Sequence, residues 1–263
     1  MSDKSIKIAI SGKGGVGKTT LSSLLCHLYA REGRKVLAID ADPDANLGTA
    51  LGFPREILET LTPISEERKL IKDRTGAEPG TIGAIYSLNP RVDDIPDTYV
   101  AEYQGIKLLR MGSITQGGTG CACPENTLLK NLLEHIVLER NETVIVDMEA
   151  GLEHFGRGTA KGVDAFIVVV EPGRRSFETA HSVVKLAQDL GIHEIYAVVN
   201  KVHEGQLEEI KREINFLPII GHFPYDPVVV SADLNGKNLF ELSPKFVQQA
   251  EEIKEKIDLL LAR

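Results

Sequence analysis

Short apolar runs alternate with amphipathic stretches along most of the chain. Residues 6–10 form a largely apolar run closed by Ser11-Gly12, residues 36–39 one that ends at Asp40, and residues 144–146 one that ends at Asp147. Residues 165–170 end at Glu171 and residues 195–199 at Asn200, with further short runs at 108–111 and 217–220. Between them, residues 21–30, 128–138 and 180–190 repeat apolar side chains at helical spacing. Continuous Val and Ile runs suit strands covered on both faces. The pattern predicts an α/β fold, doubly wound, with a mostly parallel sheet and helices on both faces. Several strands end in a polar residue, and in such sheets ligands lie outside the carboxyl ends of the strands.

Two stretches depart from this rhythm. Residues 54–98 hold no strong strand and carry Pro63, Pro79, Pro90 and Pro96, which predicts short helices and loops along one edge rather than a separate domain. Residues 99–103 and 106–111 flank Gln104-Gly105, the pattern of a hairpin that adds one antiparallel edge strand. Near the C-terminus, Ser243 can cap a helix with Pro244 at its first position. Phe246, Ala250, Ile253, Ile257, Leu260 and Leu261 then share one face. Docking on the sheet explains that face. A membrane anchor would also want a basic polar face, and here the charges balance.

Composition acts mainly by exclusion. Hydrophobic residues make up 42% and charged residues 26% of 263 residues, an ordinary globular mix. A formal net charge of -8 speaks against nonspecific nucleic-acid binding. Three cysteines make no disulfide framework and suit a reducing compartment. Met1-Ser2-Asp3-Lys4 runs straight into a strand-like stretch without the apolar core of a signal peptide, and no apolar run nears the ~20 residues of a membrane span. A cytoplasmic, soluble protein with neither nucleic acid nor membrane as partner is expected.

The strongest chemical signal is Gly12-Lys13-Gly14-Gly15-Val16-Gly17-Lys18-Thr19, between a predicted strand and a predicted helix. It fits a P-loop. Its backbone N–H groups converge on phosphate oxygens, Lys18 meets the terminal phosphates, and Thr19 offers magnesium a hydroxyl. The following helix points its positive end at the anion. Gly12, Gly14 and Gly17 also satisfy the glycine pattern of a nicotinamide-dinucleotide turn, and Asp40 lies 23 residues past Gly17, so an oxidoreductase is a rival reading. Lys18-Thr19 favours the P-loop, because a dinucleotide turn needs neither side chain.

The segment from Lys13 to Thr20 resembles the deviant Walker A loop of septum-site and chromosome-partition ATPases, nitrogenase iron proteins and metallocenter-maturation ATPases. The resemblance implies a single P-loop ATPase domain over residues 1–263, with ATP and Mg2+ as ligands and ATP-dependent pairing of two chains. It also implies that Lys13 reaches across to the partner's phosphates. Asp42, in Asp40-Ala41-Asp42-Pro43-Asp44, matches the family's water-positioning residue near magnesium, with Asp40 in support. A carboxylate suits that task beside a γ-phosphate. Asp147 ends an apolar strand as a Walker B acid does, and Gly151 matches the glycine that senses the γ-phosphate. Glu149 stands where many relatives carry proline, a departure that resembles the maturation branch. Asn200 and Lys201 match the family's adenine contact, and Pro224, Tyr225 and Asp226 a loop beside the base, although either stretch could serve only as a turn.

Cys121 and Cys123 form the second informative segment. In an extended chain, residues i and i+2 face the same way, and Pro124 both extends Cys123 and suits the first position of the next helix. Two thiolates do not complete a tetrahedral site, whereas two chains related by a two-fold axis supply four. Zinc or nickel bridging two chains is one reading, and two reduced thiols in a glycine-rich loop the other. Cys26 lies in an apolar helical stretch and is expected in the core. Together with the P-loop and the segment from Asp147 to Gly151, the pair makes the chain similar to CooC-type ATPases. That resemblance implies support for nickel insertion into carbon monoxide dehydrogenase, with acetyl-CoA synthase as a sister client. A partition or septum-site ATPase acting on DNA or membrane is the alternative.

Overall fold

The computed structural model describes residues 5–81, 85–112, 123–152 and 155–262. Strand β1 (Lys7–Ser11) feeds the glycine loop into helix α1 (Lys18–Arg31), and β2 (Val36–Ala41) follows. Short helices α2 (Leu47–Ala50), α3 (Arg55–Thr60), α4 (Arg68–Thr75) and α5 (Ile95–Thr98) fill the proline-bearing stretch, with one 3-10 turn at Ile64–Glu66. No strand interrupts it among the described residues. The hairpin β3 (Ala101–Tyr103) and β4 (Ile106–Arg110) comes next, then α6 (Pro124–Glu139) and β5 (Thr143–Met148). The second half runs α7 (Arg157–Lys161), β6 (Ala165–Val170), α8 (Arg174–Asp189), β7 (Ile195–Val202), α9 (Leu207–Glu213) and β8 (Ile219–Pro224). Helices α10 (Pro227–Leu234), α11 (Leu239–Leu242) and α12 (Pro244–Leu261) close the chain.

The eight strands form one sheet in the order β3-β4-β2-β5-β1-β6-β7-β8. Every neighbouring pair is parallel except β3 with β4, so the doubly wound sheet and its antiparallel edge strand are both present. Strands β1, β2, β5 and β6 are buried along their whole length because apolar layers cover both faces. One layer gathers Leu128, Leu132 and Val183 from α6 and α8. The other gathers Leu24, Leu28, Phe246 and Ile253 from α1 and α12.

Helix α12 begins as its residues predict. Ser243 accepts from the Phe246 N–H at 3.5 Å, and Pro244 occupies the first turn. Phe246, Ala250, Ile253 and Ile257 are buried, while Leu260 and Leu261 are only partly covered. The face is thus spent on the protein's own core. Its buried Lys254 is neutralised by Glu32 and by Asp258 and lies over the Tyr29 ring. Among the described residues no helix is long and apolar enough to cross a membrane.

The register sets up the site. On either side of β5, Ile10 and Asp40 each stand opposite Asp147. The parallel sheet therefore brings two acids, 107 positions apart in sequence, to one edge beside the glycine loop.

Candidate nucleotide-binding site

Two glycines let the loop approach the sheet. Gly12 (φ 146°) lies against the Val169 carbonyl and Gly17 (φ 99°) against Asn200 Nδ2, so closely that a Cβ on either would collide. Helix α1 starts immediately after Gly17, which carries Lys18 and Thr19 into its first turn. Lys18 is only 6% exposed and pairs with Asp42 at 3.6 Å. Thr19 Oγ1 donates to Asp147 Oδ2 at 2.7 Å. Ser22 Oγ lies 3.1 Å from Asp147 Oδ1 and 3.0 Å from the Lys18 carbonyl. Sequence reasoning did not single out Ser22. Its signal is spacing: one turn past Lys18 and Thr19, it shares their face of α1.

Behind these groups lie two buried carboxyls. Burial, reinforced by the Asp147 charge, pushes Asp40 up to about 7. Burial likewise raises Asp147 to about 6, although Thr19, Lys18 and Ser22 favour its ionised form. Asp40 Oδ2 accepts from the Leu47 N–H at 3.0 Å, while its buried Oδ1 has no hydrogen-bond partner. A buried acceptor left alone is costly. Paired carboxylates, an orphaned oxygen and the Thr19 hydroxyl make an all-oxygen donor set, which fits a hard divalent cation such as magnesium.

A cleft of about 650 Å³ runs from this loop to α10. Of the predicted residues, Gly14, Gly15, Gly17, Lys18, Thr19, Thr20 and Asp42 line its phosphate end, and Asn200, Lys201, Pro224, Tyr225 and Asp226 its far end. Gly12, Lys13, Val16, Asp40, Asp147 and Gly151 do not line it. Val16 is fully buried in the core, and half-buried Lys13 has no side-chain partner among the described residues. Glu149 reaches the cleft wall, where Ser11 Oγ donates to its carbonyl at 2.7 Å.

The far end differs from the sequence expectation in detail. Asn200 Nδ2 donates to the Val16 carbonyl at 2.8 Å, and Asn200 Oδ1 accepts from the Lys201 N–H at 2.8 Å. Both residues thus hold the glycine loop as well as facing the cleft. Tyr225 is half exposed and stacks on His203 at 4.9 Å, and Asp226 caps α10 by accepting from the Val228 N–H at 3.0 Å.

Cys123 occupies the N-cap position of α6 in extended conformation, with Pro124 first in the helix. It is buried. Cys121 lies outside the described residues. Cys26 is wholly buried, and burial pushes its thiol far up, which makes it inert core.

With this geometry in view, comparisons with known proteins agree on its class. The CobQ/CobB/MinD/ParA nucleotide binding domain matches residues 7–240. The chain is 47% identical, over 91% of each sequence, to the carbon monoxide dehydrogenase accessory protein CooC of Rhodospirillum rubrum. It is 44% identical to an ATP-binding protein of Methanocaldococcus jannaschii, covering 94% of this chain and 96% of that one. Among solved structures, the MinC:MinD cell division complex of Aquifex aeolicus superposes with a TM-score of 0.68 at 20% identity, covering 97% of this chain and 96% of that one. A ParA family ATPase from Chlorobium tepidum gives 0.67 at 20% identity over 99% of both chains. At such identities the structural likeness speaks for the fold alone. The matched domain, the extended likeness to CooC and the glycine loop beside paired acids identify the chain as a P-loop ATPase of the CobQ/CobB/MinD/ParA family, belonging with its CooC-type members.

Proposed function

We propose that this ATPase couples ATP hydrolysis to rearrangement of a two-chain assembly that supports nickel insertion into carbon monoxide dehydrogenase, or into acetyl-CoA synthase. The observation that carries the reading is the 47% identity, across nearly the whole length of both chains, to a protein named as a carbon monoxide dehydrogenase accessory factor.

The residues divide the work by position. The glycine loop cradles the phosphates through its backbone N–H groups, and Lys18 exchanges its Asp42 partner for the terminal phosphates. That exchange frees the Asp42 carboxylate to orient the attacking water. Thr19 and Asp147 hold magnesium, with Asp40 behind them, and the ion supplies charge neutralisation at the phosphate oxygens. Lys13, which does not line its own cleft, is available to a partner's phosphates. Gly151 follows the Asp147 strand and senses the γ-phosphate, while the Asn200–Lys201 and Pro224–Asp226 segments border the adenine. In this reading residues 1–263 act as one P-loop domain in the cytoplasm, without nucleic acid or membrane.

Cys121 and Cys123 of two chains together offer four thiolates to one zinc or nickel ion. Metal analysis of the purified protein with its mass in solution, with and without nucleotide, tests this. About one ion per two chains is expected. Changing both cysteines to serine should remove the ion and metal-driven pairing but retain ATP binding. Metal held at full affinity by the double variant would overturn the shared site.

A further inference from the structure

The glycine loop is held by an ion pair whose acidic member, Glu171, the catalytic outline does not use. Lys201 Nζ donates to the Gly15 carbonyl at 2.6 Å and to Glu171 Oε2 at 2.7 Å. Its neighbour Asn200 donates to the next carbonyl along the loop, that of Val16, at 2.8 Å. Glu171 follows the end of β6 and Lys201 lies near the end of β7, adjacent parallel strands that both terminate beside the loop. The Glu171 N–H is tied to Ser176 Oγ at 3.0 Å, which fixes the turn that presents its carboxylate.

Lys201 is also placed at a backbone cost. Its φ of 57° is left-handed, uncommon for a residue with a Cβ, and it lies within the β7–β8 register shift between Val199 and Val202. A lysine at this distorted point grips the glycine loop. Exposed ion pairs contribute little by themselves, and this one is partly exposed, 42% at Lys201 and 25% at Glu171. Its importance lies in geometry.

In a trans peptide the C=O of one residue and the N–H of the next point in opposite directions. Holding the Gly15 carbonyl on Lys201 therefore fixes the Val16 N–H on the opposite side of that peptide, away from Lys201. Holding the Val16 carbonyl on Asn200 does the same for the Gly17 N–H. These are N–H groups of the kind a phosphate-binding loop converges on its anion. In the structure the Val16 N–H makes only a long, 3.4 Å contact with the Lys13 carbonyl.

We infer that Glu171 is a positioning residue for nucleotide binding: through Lys201 it straps the Gly15 peptide and keeps the phosphate-binding N–H groups aimed before the nucleotide arrives. Glu171 touches neither phosphate nor water. Its carboxylate confines the flexible lysine to one place, which lowers the ordering cost of binding. The strap belongs to the ATPase cycle whatever the client enzyme.

The opposite expectation is equally definite. A carboxylate near a triphosphate repels it, so if Glu171 acted only through charge its neutralisation would tighten binding. ADP affinity by calorimetry, with KM and kcat for ATP, separates the two in Glu171→Gln. The strap predicts ADP binding weakened about tenfold, KM raised alike, and kcat at saturating ATP within about twofold. Lys201→Met, which leaves β6 untouched, should weaken ADP binding in the same direction. The double variant should be no worse than Lys201→Met alone, because both act through one contact. Wild-type ADP affinity in Glu171→Gln, tighter binding, or additive losses in the double variant would each overturn the inference. A merely structural role would lower the melting temperature without changing ADP affinity, and that outcome would overturn it too.

Discussion

The two ends of the nucleotide cleft are built by opposite means. At the phosphate end Lys18, Asp40 and Asp147 are each at most 6% exposed; Lys18 pairs with Asp42, Asp147 accepts from Thr19 and Ser22, and Asp40 Oδ1 alone among the carboxylate oxygens of these two acids has no partner. At the far end Tyr225 and Val230 are about half exposed, and the groups facing the cleft come from β7, β8 and α10. Charge placed in a dry, fixed frame interacts strongly, and the change asked of it when the anion arrives is local, the opening of the Lys18–Asp42 pair. A base is recognised by surface and a few polar edges, for which an open shelf suffices. Substitutions should therefore be severe at the first end and graded at the second.

The largest effect is expected at Lys18. Lys18→Ala should reduce ATP binding beyond detection at millimolar nucleotide and also leave Asp42 without its partner; near-normal affinity by calorimetry would break the contrast. Asp42→Ala comes next. It should bind ATP within a few fold of the parent yet hydrolyse it slower by about 10²–10³, the scale of losing a positioned catalytic group. A wild-type single-turnover rate would remove Asp42 from the water-positioning role.

A subtler test concerns the buried acids. An acid whose folded pKa is raised resists ionisation in the folded chain. Asp40 and Asp147 therefore cost nothing below about pH 4, where they are protonated in both states, and lower stability as pH rises toward about 7. With magnesium chelated, Asp40→Asn should show a smaller loss of melting temperature between pH 5.5 and 8 than the parent. Magnesium should narrow the parent's loss, and its affinity should fall below about pH 7 as protons compete. An equal loss in parent and variant would sink this account.

The smallest effect belongs to the open end. Tyr225→Ala should raise the ATP dissociation constant about five- to tenfold, the value of one aromatic stack, and leave kcat nearly unchanged. A loss as severe as that of Lys18→Ala would show that both ends are built alike.

How far the site was legible depended on the range of its interactions. Local grammar carries the phosphate loop, since glycines, Lys18 and Thr19 act through neighbours in sequence. The same holds for the Ser243–Pro244 helix start and the Gln104-Gly105 hairpin. The resemblance added Asp42, Asp147 and the base-side residues. Ser11 acts on the Glu149 carbonyl, far away in sequence, and left no local signal; the helical spacing of Ser22 from Lys18 becomes informative only once the sheet places Asp147 beside it, and Glu171 reads as a strand end until the sheet brings Lys201 to it.

By itself, then, the sequence determined the alternation of strands and helices, the phosphate loop and the acids at strand ends, because these depend on periodicity and on short-range turn chemistry. Tertiary structure alone decided which acids meet. The insertion of β5 between β1 and β2 puts Asp40 against Asp147, and burial there raises both. It also decided that Asn200 and Lys201 grip the carbonyls of the loop, because the order of strands, rather than distance along the chain, makes β7 a neighbour of β6 and brings its end to the glycines.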